Sequence, residues 1–80
     1  MMIEESAVGV EPRAQKALSD SPVAALRELR VESIDEGSLL ISGSVGTFYH
    51  KQLAQEVVRA VAAGMDVVNS VTVRHHTGDE

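Results

Sequence analysis

The sequence predicts an α+β domain of order αββαβ, a three-stranded mixed sheet with two helices packed on one face. Three observations carry this reading. Residues 29–45 alternate apolar and polar on both sides of Asp35-Glu36-Gly37-Ser38, as in a hairpin with one buried face. From Thr47 the period becomes helical, with Leu53, Ala54, Val57, Ala60 and Val61 on one stripe. "DVVNSVTV" then returns to strand character, with Val67, Val71 and Val73 sharing a face.

Residues 1–10 show little periodicity and read as a flexible N-terminal arm. Pro12 suits the first helical position, where its missing N–H costs nothing. "PRAQKALSD" follows as a short helix with Ala14, Ala17 and Leu18 on its apolar side and Arg13, Lys16 and Asp20 in water. Such a helix is marginal alone and must be held by packing. "SDSP" ends it, since a proline disfavours helix at the residue before it. A single turn at residues 22–26 then directs Leu26 inward.

In the first strand Leu29, Val31 and Ser33 share a face. Gly37 is available for a positive φ in the turn. Leu39, Ile41, Gly43 and Val45 occupy one face of the second strand. Thr47 is an acceptable N-cap for a helix over 47–63. Lys51, Gln52, Gln55 and Arg59 lie on or near the side opposite its apolar stripe, and Gly64 stands where a left-handed C-terminal residue is wanted. This helix joins strands two and three, which run parallel if they are neighbours, with a right-handed crossover expected, while strand one is antiparallel to strand two. The domain covers residues 11–74, and residues 75–80 form a polar tail. The expected core is Leu29, Val31, Leu39, Ile41, Val45, Leu53, Val57, Val61 and Val71.

Eighty residues hold one domain, and a chain of that size buries only ~60% of its unfolded surface. Hydrophobic content of 44%, with a single Phe, a single Tyr and no Trp, implies an aliphatic core. The absence of cysteine excludes disulfides, thiolate metal sites and cysteine nucleophiles. A net charge of −5 argues against nucleic acid as a partner, because phosphate binding wants a basic face. The N-terminus has no basic, apolar export signal, and no run reaches the roughly 18 apolar residues of a membrane span. A soluble, cytoplasmic protein is expected on these grounds.

Gly43-Ser44-Val45-Gly46 lies where a strand runs into a helix, a place that can hold a phosphate. A P-loop fails because Thr47 and Phe48 follow Gly46 in place of Lys and Ser or Thr. A dinucleotide fingerprint needs a third glycine. The two glycines formally match a KH-type GXXG loop, but that loop sits between helices and usually carries basic residues. The turn therefore reads as structural, with Gly43 small where a helix crosses the sheet and Gly46 releasing the strand into the helix.

The stretch "VESIDEGSLLISGSVGTFYHKQLAQEVVRAVAAGMDVVNSVTV" resembles the BON domain, the bacterial module named for osmotically inducible and nodulation proteins. Gly37, Leu39, Ile41, Gly43, Val45, Ala54, Val67, Asn69, Val71 and Val73 match its pattern in order and spacing, and "ALSDSP" is similar to its first helix and loop. The resemblance covers about residues 12–74. It implies a non-catalytic module, linked by its name to osmotic stress, that binds phospholipid membranes or other proteins. It also implies a periplasmic location, against the cytoplasmic one expected above. Many family members carry two or more copies, which gain avidity; this chain has one.

"TFYHK" gathers both aromatics, a histidine and a lysine at a helix N-terminus. Rings and cations together suit a lipid headgroup region. Phe48, Tyr49, Lys51 and Arg59 are the candidate binding residues, for a phospholipid surface or a protein partner. In the competing arrangement Phe48 folds over the end of the core and Tyr49 lines its edge. The alternative function is self-association into a homo-oligomer or scaffold through a sheet edge or the open sheet face.

No catalytic residue, metal site or cofactor is expected. Glu32, Asp35 and Glu36 cluster at a wet hairpin tip, where nothing separates their pKa values for acid–base work. Ser42 and Ser44 sit on a strand with no nucleophile elbow. His75 and His76 belong to the polar tail without a carboxylate pair to complete a site, and His50 falls near the core stripe. Asn69 interrupts an apolar strand and is expected to bond the backbone there, with no ligand role.

Overall fold

A computed structural model describes residues 7–74. Helix α1 (Ala7–Ser19) leads through a 3₁₀ turn (Ala24–Leu26) into β1 (Arg30–Asp35) and β2 (Ser38–Ser42). A short β3 (Ser44–Val45), helix α2 (Phe48–Val61), β4 (Asp66–Asn69) and β5 (Thr72–Val73) complete the chain. This is the expected αββαβ order, with β3 and β5 following β2 and β4 after short breaks and pairing with each other as a separate two-stranded ladder.

The sheet runs β1-β2-β4, β1 antiparallel and β4 parallel to β2. Ser38 pairs with Asp66, Ile41 with Asn69 and Val45 with Val73. The offset is the same throughout, so the parallel ladder crosses the break at Gly43 without slipping register. The Ser70 amide donates to the Ile41 carbonyl and the Thr72 amide to the Gly43 carbonyl, both at 2.9 Å. Alternation along this ladder puts Leu39, Ile41, Val45 and Val71 on the helix-covered face, all buried. Val10, Ala14, Leu18, Leu26, Leu29, Val31, Ala54, Val58 and Ala62 fill the rest of the core.

Helix α1 departs from its sequence reading. It is already helical at Ala7, five residues ahead of Pro12, and Val10 is buried, while residues 1–6 of the expected arm lie outside the described residues. Residues 7–10 therefore belong to the folded domain and not to an arm. Pro12 lies early enough that it forfeits about one ladder bond, and burying Val10 offsets that loss. Glu11 and Gln15, one turn apart, reach the outer edge of β1. Gln15 donates to the Leu29 carbonyl and accepts from the Val31 amide, each at 2.8 Å, and Glu11 accepts from the Ser33 amide at 2.9 Å. Two helical side chains thus bond three of the groups that a further strand would have paired.

Helix α2 is rotated from its expected phase. Ala54, Val58 and Ala62 are fully buried, Leu53, Val57 and Val61 are half-buried, and Ala60 is exposed. The two alanines in line let the helix backbone pack closely against α1 and the sheet. The same rotation brings Lys51 and Gln55, expected opposite the core, to half-buried positions beside β4. Gly64 takes the expected positive φ past the helix end, 85°. Gly37 does not; its amide instead donates to Asp35 Oδ1 at 2.9 Å, which closes the hairpin turn.

Candidate functional site

Thr47 is extended, and its hydroxyl accepts from the His50 amide at 3.1 Å, the expected N-cap of α2. The first turn, Phe48-Tyr49-His50-Lys51, carries no acidic side chain. The partial positive charge of the helix end is therefore not neutralised by its own turn. Lys51 adds a full charge there, and Glu56 is the first acid along the helix.

Phe48 is 62% and Tyr49 68% exposed. The arrangement with Phe48 folded over the core is not the one the chain adopts. Both aromatics of the protein stand on the surface, side by side at one helix end. Tyr49 leans on the half-buried His50, ring centroids 5.5 Å apart at 54°. The other two candidate residues differ in placement. Lys51 follows within the same turn and is half-buried. Arg59 is exposed but lies three turns on from Phe48, about 16 Å along the axis. It borders a notch of about 230 Å³ with Gln55, Met65, Asp66 and Val67. Phe48, Tyr49 and Lys51 form one cluster; Arg59 stands apart.

Asn69 was expected to serve the backbone only, and it does more. Its Oδ1 accepts from the Val71 amide at 3.2 Å, the expected bond. Its Nδ2 donates to the Lys51 carbonyl at 2.9 Å and to Gln55 Oε1 at 3.2 Å. One side chain thereby fixes the first turns of α2 to the sheet and holds Phe48 and Tyr49 at its end. The sign in the sequence was the polar break in a valine run; the reach to residue 51 had none.

The glycine turn is structural for a different reason than expected. Gly43, at φ 123°, packs against Leu29 at the head of β1, not against a crossing helix. Gly46 has no positive φ and open space around it. Glu32, Asp35 and Glu36 are exposed at the hairpin tip. Among the described residues no three His, Asp or Glu side chains converge, and no helix is long and apolar enough to cross a membrane. His75 and His76 lie outside the described residues. A groove of about 810 Å³ between α1 and β1 is walled by Glu11, Gln15, Arg27 and Arg30, and the α1 side chains that cap the strand edge occupy its inner side.

The family model described as BON domain matches residues 9–75, nearly the whole chain. No curated protein matches it.

Proposed function

The chain belongs to the BON domain family, which supports a binding role, and we propose that it is a non-catalytic module that docks on phospholipid membrane surfaces through the N-terminal turn of α2. The observation that carries this reading is the pair of exposed rings, Phe48 and Tyr49, on a helix end with no acid in its first turn. Two rings left side by side in water form an apolar patch of the kind that serves as an anchor. At a bilayer the rings enter the headgroup boundary while Lys51 and the helix end meet lipid phosphate. The net charge of −5 repels an anionic surface at long range, so contact depends on ring insertion more than on attraction.

Co-sedimentation with anionic and with neutral vesicles tests this. Phe48→Ala should weaken binding by up to ~3 kcal/mol, the worth of a fully buried ring, with an unchanged melting temperature. Lys51→Glu should weaken binding to anionic vesicles, and more at low salt than at high. Wild-type protein that stays in solution with both vesicle types sinks the reading, and capture of a protein partner through the same turn would replace it.

A further inference from the structure

The two edges of the sheet are treated differently. Glu11 and Gln15 bond the outward amides of Val31 and Ser33 in β1 and the Leu29 carbonyl just before it. On the other side, the amides of Asp66, Ser70, Thr72 and Arg74 point inward to the carbonyls of Gly37, Ile41, Gly43 and Val45. By alternation the N–H groups of Val67, Asn69, Val71 and Val73 point to the free edge. Among the described residues only Val71 has a side-chain partner there, Asn69 Oδ1 at 3.2 Å. The parallel register does not slip between β4 and β5, so this edge keeps one register from Val67 to Val73 across the strand break at Ser70-Val71.

Its ends carry opposite charges. Asp66 and Arg74 are both exposed, share one sheet face by alternation, and have no ion-pair partner among the described residues, although Asp66 also borders the notch that Arg59 lines. We propose that this edge pairs with the same edge of a second copy, antiparallel, about a two-fold axis at Ser70. In that register Asp66 faces the Arg74 of the second copy at both ends, Val67 faces Val73, Val68 faces Thr72 and Asn69 faces Val71. The edge-facing residues of one copy meet the edge-facing residues of the other, so their N–H and carbonyl groups pair. The Asn69 carbonyl of the second copy takes over the Val71 amide from Asn69 Oδ1. Val68, 45% exposed and apolar, gains a neighbour. Shifting the register by two residues keeps the hydrogen bonds but loses both charge pairs, so the charges select the pairing. The result is a six-stranded sheet with α2 of each copy beside the seam. None of this depends on what Phe48 and Tyr49 contact.

Sedimentation velocity over a concentration series tests it. The wild-type protein should pass from monomer to dimer. Asp66→Arg and Arg74→Asp each set like charges opposite one another twice, and each should weaken dimerisation by about tenfold or more. Both positions are exposed, so neither change should move the melting temperature. An equimolar mixture of the two variants restores both charge pairs between unlike chains and should dimerise as the wild type does, as should the double variant. A wild type that stays monomeric, single variants that dimerise unchanged, or a mixture that fails to recover overturns the proposal.

Discussion

At Gly43 an added Cβ would lie 2.7 Å from Leu29 Cδ2 and 3.5 Å from its Cα, on a backbone already at φ 123°. Clash and left-handed strain therefore act together at one position. Gly43→Ala should cost ~1–3 kcal/mol in urea denaturation, whereas Gly46→Ala, with open space and no positive φ, should be close to neutral. Equal effects would mean that the close approach to Leu29 is not what requires glycine. The sequence marks both glycines equally, because a φ angle imposed by strand pairing leaves no local signature. Asn69 shows the same limit: its bond to Val71 is local and was foreseeable, but its bonds to Lys51 and Gln55 span 18 and 14 residues.

Helix α2 was placed correctly in the chain and wrongly about its axis. Val57 and Val58 are adjacent, and either can centre an apolar stripe. The line Ala54-Val58-Ala62 wins because its small residues permit the closest packing against α1 and the sheet. Val58→Asp should accordingly abolish a cooperative melt, since an unpaired charge there cannot reach water. Val57→Asp, at a half-buried position, should lower the melting temperature and leave the transition cooperative. Thermal melts by circular dichroism decide, and the reverse order would return the stripe to Val57. The start of α1 failed for a related reason: a proline early in a helix reads by default as its first residue, and only the burial of Val10 shows otherwise.

For the whole molecule, strand order and the buried face of the sheet could be read from periodicity and residue type, whereas the exposure of Phe48 could not, because the same residues fit a ring folded over the core. The capping of β1 by Glu11 and Gln15 could not, since polar residues on a helix look alike whether they meet water or a strand edge. That cap also bears on how the chain folds. Gln15 and Glu11 reach β1 across 14, 16 and 22 residues, and β1 meets β2 through a tight turn. Joining β4 to β2 instead closes 28 residues, from Ser38 to Asp66, an entropy cost ~2 kcal/mol above that of the hairpin. The first half of the chain should then order in the rate-limiting step and the last strands dock afterwards. Val31→Ala is expected to slow folding in stopped-flow experiments, while Val71→Ala, equally buried, is expected mainly to hasten unfolding. The free edge of the sheet would thus be the last part of the molecule to form.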